Sequence, residues 1–240
     1  MKKQNNKTEQ AIQGHSAAKN EKDTYEKIPR EEKEQITGAE IQKHWETRAQ
    51  RRGVQAVMSA RHRLQENRQA TKQLQEDIFS FLGPLLTGKR IFELGVGIGR
   101  MTKEIAKRAQ SVVGNDISAS MLKKARRRLQ GYKNVDLRLG KIYEMDFPEK
   151  SFDLVFDSIV LLHILSPVEL EKTVQAMQNL SNTIFLVEHT YEGENYPISK
   201  YSILRRQEEY HQLFLPYELI KQKTHLCVGD TFTFFLFKAP

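Results

Sequence analysis

Residues 93–100 read Glu93-Leu94-Gly95-Val96-Gly97-Ile98-Gly99-Arg100, with glycines at alternate positions. They fall between a short apolar run and a stretch of helical period, the context in which a glycine loop can cradle a ligand. Gly95 permits a tight turn, and Gly97 lets a ligand approach backbone that a Cβ would otherwise cover. The helix behind the loop offers free N–H groups to an anion or carboxylate. Asp116 ends the next apolar run, where a carboxylate can accept two hydrogen bonds from a ribose diol. Two classes of nucleoside-bearing cofactor share this layout. A dinucleotide loop wants glycines at relative positions one, three and six; here the sixth position is Arg100.

The elements that must hold these residues follow from the apolar rhythm. Short runs at Arg90–Leu94, Ser111–Asp116, Val135–Leu139, 152–156 and 183–188 alternate with helical stretches, which specifies a parallel α/β sheet. One helix opens at Ser166-Pro167-Val168-Glu169, a capping-box pattern with proline at its first position, and runs to about Leu180. Residues 227–237 read as two strands around Gly229-Asp230, a hairpin signal. The expected architecture is a Rossmann-like parallel sheet closed by an antiparallel C-terminal hairpin strand, with an N-terminal helical extension. Residues 1–38 are polar and without helical period, so they are expected as a mobile tail. Residues 39–86 read as two helices broken near Gly53 and ending at Gly83-Pro84, and residues 87–240 as the ligand-binding domain.

The arrangement Glu93-x-Gly-x-Gly-x-Gly resembles motif I of the class I S-adenosylmethionine-dependent methyltransferases. Three further segments match that family in order: Val113-Gly114-Asn115-Asp116-Ile117-Ser118 with Met121 and Leu122, then residues 147–156, then residues 183–188. The resemblance covers about residues 89–240. It implies S-adenosylmethionine as cofactor, held by Glu93, Gly95, Gly97, Gly99, Arg100, Asp116, Ile117, Met121, Ile142 and Asp157. Trp45, in His44-Trp45-Glu46-Thr47-Arg48, resembles the aromatic-led segment that many small-molecule members fold over the cofactor; the alternative is a staple between this helix and the sheet. Where many members carry Gly-Asp-Ala after the third strand, this chain has Gly140-Lys141-Ile142. A charged Lys141 cannot accept a hydrogen bond. A backbone carbonyl, Glu144 or Asp146 must then serve the adenine amine, or the cofactor binds more weakly.

In an open sheet the site lies at the carboxyl ends of the strands. That rule puts Asp157, Ser158, His163, His189 and Tyr191 near the reacting methyl group. His189, at a strand-to-loop junction and titrating near neutrality, is the candidate base. Asp157 is the candidate partner of a cationic acceptor such as an amine. Tyr191, with Tyr196 and Tyr201, falls in the insertion where this family often gathers acceptor-binding residues.

Composition bounds the rest. No apolar run approaches the roughly 18 to 20 residues of a membrane helix, the N-terminus carries charge but no apolar leader, and the single Cys227 excludes a disulfide framework and a cysteine-cluster metal site. A cytoplasmic protein with no membrane role and no metal is expected, as monomer or homodimer. The net charge of +8 concentrates in residues 89–130, which hold 11 basic and 3 acidic groups. This raises an RNA acceptor as an alternative to a small molecule or short peptide. A non-catalytic binding protein on the same fold is the third reading, motivated by Lys141.

Overall fold

The computed structural model describes residues 28–58, 62–192, 199–227 and 230–240. The strands are β1 Arg90–Leu94, β2 Ser111–Asp116, β3 Val135–Leu139, β4 Leu154–Ser158, β5 Thr183–His189, β6 Glu218–Cys227 and β7 Asp230–Lys238. They form one sheet in the order β3-β2-β1-β4-β5-β7-β6. The first five are parallel; β7 runs antiparallel against β5, and β6 antiparallel against β7. β1 and β4 lie at the centre and are buried on both faces, so apolar residues fill consecutive rather than alternate positions, as in Ile91-Phe92 and Leu154-Val155-Phe156.

The helices are α1 Arg30–Lys33, α2 Gly38–Arg48, α3 Leu64–Leu82, α4 Arg100–Ala106, α5 Ala119–Arg128, α6 Pro167–Leu180 and α7 Gln207–Leu213. Leu74, Ile78 and Leu82 of α3 and Met101 and Ile105 of α4 pack on one face of the sheet, against Ile91, Phe156, Phe185 and Phe234. Leu170, Val174 and Met177 of α6 and Tyr210 of α7 cover the other face, against Phe92, Val155, Ile184 and Phe235. Alternation along each strand therefore decides which layer a side chain enters.

Several boundaries differ from the sequence reading. The hairpin is longer than expected: all of Asp230–Lys238 is one strand, and its partner extends back to Glu218. The polar, exposed pattern of β6 is that of an edge strand, which carries little apolar signal. Within the expected tail, α1 packs onto the domain: buried Lys33 donates to the carbonyls of Ser199 (3.3 Å) and Ser202 (2.9 Å). Residues 1–27 of that tail, Tyr196 and Gly229 lie outside the described residues. Thr37 and Glu40 form a reciprocal capping box on α2. Ser166 caps α6 through the Glu169 N–H (3.4 Å), but the Glu169 carboxylate does not return to Ser166; it reaches Lys141 instead.

Candidate active site

A cavity opens at the carboxyl ends of β1, β2 and β4 and is roofed by the N-terminal segment. Its floor is the glycine loop. Gly95 has φ +62 and Gly97 φ +53, and a Cβ at Gly95 would stand 2.5 Å from Val160 Cγ2. Asp116 ties the loop down: Oδ2 accepts from Gly97 N–H and Oδ1 from Ser118 N–H, both at 2.8 Å. Burial pushes its carboxyl up to about 6, opposed by those two N–H groups. Asn115 completes the floor, accepting from Gly95 N–H (3.4 Å) and donating to the Gly140 carbonyl (2.9 Å).

Glu93 is 2% exposed, and its Oε2 has no hydrogen-bond partner. Burial raises its carboxyl to about 8 against the pull of Thr102 and Arg100. The Arg100 guanidinium lies inside the same wall, directed at Met58 Sδ (3.1 Å) and Thr71 Oγ1 (3.4 Å). Burial lowers it to about 10 despite the charge of Glu93.

The roof comes from Ile36, Ile41, Trp45 and Val57. Gln42 donates to the Ile117 carbonyl (2.9 Å), and Glu46 accepts from Ser120 N–H (3.3 Å), so α2 is docked on the start of α5. Trp45 meets the edge of His163, ring centroids 4.8 Å apart. His163 Nδ1 lies 2.8 Å from the Tyr201 carbonyl, which fixes the proton on Nδ1 and the lone pair on Nε2. Burial lowers the His163 imidazole to about 4, so it is neutral at pH 7.

The sequence-derived residues Trp45, Glu93, Gly95, Gly97, Arg100, Asp116, Ile117, Met121 and Ile142 all line this cavity. Gly99 does not; it precedes α4 and packs against Ala125 of α5. The three residues assigned to catalysis are also elsewhere. Asp157 is fully buried and turned to the α6–α7 layer, because it alternates with Phe156. His189 faces β7, with Nε2 3.8 Å from Asp230 Oδ1 and its ring against Phe232. Tyr191 lies beneath the Arg206 guanidinium, 4.9 Å from the ring centre. Of the five residues that the strand-end rule puts near the reacting methyl group, Ser158 and His163 line the cavity.

Sequence reasoning missed the group that holds the cavity wall. Glu188 Oε1 accepts from the N–H groups of Val160 (3.0 Å) and Leu161 (2.7 Å), and Oε2 from Leu162 N–H (3.3 Å) and the Tyr210 hydroxyl (3.2 Å). Arg205 donates to the carbonyls of Leu161 (2.9 Å) and Ile164 (3.0 Å). The segment carrying Ile159, Val160 and His163 is thus gripped at both its donors and its acceptors. A buried carboxylate one strand from another was the available signal: Asp157 pairs in register with Leu186, two residues from Glu188. Burial and the Glu188 charge raise the Asp157 carboxyl well above its usual range.

The sign of that shift has a measurable consequence. An unfolded aspartate gives up its proton near pH 4, whereas the raised carboxyl of the folded chain holds it to higher pH, so the stability Asp157 contributes is lost progressively as pH rises above that value. Asp157→Asn mimics the protonated form without this loss. Its melting temperature relative to wild type is therefore expected to climb as pH rises above about 4. A difference independent of pH would mean that the fold does not raise the Asp157 carboxyl.

Residues 91–182 match a family described as a methyltransferase domain, and the glycine loop, Asp116 at the end of β2, the roofed cavity and the strand order agree with a class I S-adenosylmethionine-dependent methyltransferase fold. Over 139 residues the chain is 34% identical to phosphoethanolamine N-methyltransferase of Triticum aestivum, covering 56% of this chain and 26% of that one. In structure it is similar to phosphoethanolamine N-methyltransferase 1 of Haemonchus contortus, solved with phosphoethanolamine and S-adenosylhomocysteine. The TM-score is 0.68 at 21% identity, over 89% of this chain and 50% of that one. It is also similar to magnesium protoporphyrin IX methyltransferase of Synechocystis PCC 6803, with a TM-score of 0.70 at 13% identity, over 85% and 100% of the two chains. The chain spans about a quarter of the length of the curated relatives it matches. Among the described residues no helix is long and apolar enough to cross a membrane.

Proposed function

We propose that this chain transfers a methyl group from S-adenosylmethionine to a small polar acceptor, with an amine of the phosphoethanolamine type as the first candidate. The observation that carries the reading is the unpartnered Glu93 carboxylate oxygen in a cavity floored by the glycine loop. A buried acceptor left without a donor is costly, and a cofactor ammonium supplies that donor. Asp116, with one N–H on each oxygen, keeps a lone pair on both for a ribose diol. When bound, the cofactor supplies an electrophilic methyl on a sulfonium, so the protein's task is positioning and the exclusion of water. Trp45, Ile36 and Ile41 exclude water from above. His163, neutral at pH 7 and lining the cavity, is the imidazole that would accept an acceptor's N–H. The amine follows from the curated relatives, whose names specify phosphoethanolamine.

The RNA alternative rests on the basic face of α5. There Lys123, Arg126 and Arg127 are exposed and outside the cavity lining.

Two measurements test the proposal. Methyl-labelled cofactor supplied with phosphoethanolamine, ethanolamine or RNA is expected to label the first; label in RNA alone would overturn the small-acceptor reading. Calorimetry of S-adenosylhomocysteine binding in buffers of different ionisation enthalpy should show close to one proton released at pH 7. Glu93, mostly protonated there at a pKa of about 8, must ionise to take the ligand ammonium. Affinity is accordingly expected to weaken as pH falls below 8, and Glu93→Gln should abolish the release. Binding without proton release would remove Glu93 from the cofactor site.

A further inference from the structure

Lys141 and Glu169 stand together at one end of the cavity, Nζ 2.5 Å from Oε1, and both line it. They arrive from separate elements. Lys141 precedes the 3-10 turn Ile142–Glu144, and Glu169 lies in the first turn of α6. Ile117 and Ile142, which also line the cavity, supply the apolar surface a flat ring system needs. Gly38, the first residue of α2, closes over the pair: a Cβ there would be 3.1 Å from both Lys141 Nζ and Glu169 Oε1. The ion pair is therefore sheltered by the roof, with its side chains 28% and 32% exposed.

The carboxylates nearer in sequence are occupied or turned away. Glu144 is exposed and its Oε2 accepts from Lys141 N–H at 3.2 Å, while Asp146 is exposed and does not line the cavity. Glu169 is also freed from the duty its position suggests. In a reciprocal capping box its carboxylate would cap the Ser166 N–H, as Glu40 caps Thr37 at 3.0 Å, yet it extends to Lys141.

We propose that the Lys141–Glu169 pair reads the edge of the cofactor's purine, Glu169 accepting from the exocyclic amine and Lys141 donating to a neighbouring ring nitrogen. This rests on the cofactor assignment of the preceding section and deepens it. An adenine edge offers one donor and one acceptor side by side, and the pair presents the complementary acceptor and donor. Glu169 Oε1 takes the ammonium, which leaves Oε2 for the amine. The pair thus restores, from α6, the acceptor lost when a lysine occupies position 141. A buried amine without an acceptor, or a carboxylate facing a carbonyl oxygen, is penalised, so a paired site of this kind discriminates between bases.

The test is calorimetry on the full chain with S-adenosylhomocysteine and with its 6-oxo analogue, S-inosylhomocysteine. Wild type is expected to prefer the adenosyl compound about tenfold or more. Glu169→Ala should bring the two affinities to within about threefold, chiefly by weakening the adenosyl compound. Glu169→Gln, whose amide oxygen still accepts, should keep part of the preference and covers the case in which the alanine variant fails to fold. Lys141→Ala should weaken adenosyl binding but retain its preference over the analogue. Equal binding of both compounds by wild type, or full discrimination in Glu169→Ala, would overturn the proposal while leaving the cofactor assignment standing. Binding of neither compound by wild type would overturn both.

Discussion

Gly97→Asp is expected to abolish S-adenosylhomocysteine binding, with no heat detected at ligand concentrations that saturate wild type. Gly97 holds φ +53, in the left-handed region where an L side chain costs roughly 1–2 kcal/mol. A Cβ there would stand 2.9 Å from Val57 Cγ1, so the new side chain enters the space between the loop and the cavity roof. The larger effect is electrostatic. Gly97 N–H donates to Asp116 at 2.8 Å, so a carboxylate at position 97 would face another carboxylate in a buried setting. Like charges there either repel the ligand's own carboxylate or take up a proton and close the floor. Gly97→Ala separates the contributions, since it carries the strain and the Cβ but no charge, and should weaken binding without eliminating it. Undiminished affinity in Gly97→Asp would show that the ligand does not approach the loop at this position.

The strand ends were legible in the sequence, and the strand faces were not. Gly95, Gly97 and Asp116 announce themselves because their chemistry depends on local spacing, which a sequence displays directly. Ile117, Met121 and Ile142 follow once the strand ends are known. Asp157 and His189 also sit at strand ends, but whether such a residue meets the ligand depends on which layer its side chain enters. The register of β4 and β5 against their neighbours decides that. Asp157 falls in the α6–α7 layer and His189 beside β7, so proximity along the chain to the cavity did not become contact. Glu169 misled in the opposite way. Its spacing from Ser166 fits a capping box, and only the approach of Lys141 across the fold redirects its carboxylate. β6 escaped because an exposed edge strand needs no apolar alternation. The segment 205–210 reads as a solvated helix face with Tyr210 inward, yet Arg205 is 2% exposed and serves the cavity wall.

Glu188→Ala is expected to cause the largest loss of stability of any single change at the site, about 3–5 kcal/mol, the usual cost of breaking a buried charge network. Removing the carboxylate strands the N–H groups of Val160, Leu161 and Leu162 and the Tyr210 hydroxyl. It also leaves the Arg205 charge, which favours the Glu188 carboxylate, without that partner in the interior. For a chain of this size the loss corresponds to a melting temperature lower by on the order of 10 °C. Glu188→Gln should lose less, since its amide oxygen can still serve two of the backbone donors. The site carries its own reporter: Trp45 is the only tryptophan, and it packs on His163, within the segment that Glu188 grips. If Glu188 positions the cavity wall, Glu188→Gln shifts the Trp45 emission at temperatures where the chain remains folded, because the Trp45–His163 contact is altered. A variant that melts earlier but keeps the wild-type emission would make Glu188 a core stabiliser with no hold on the cavity.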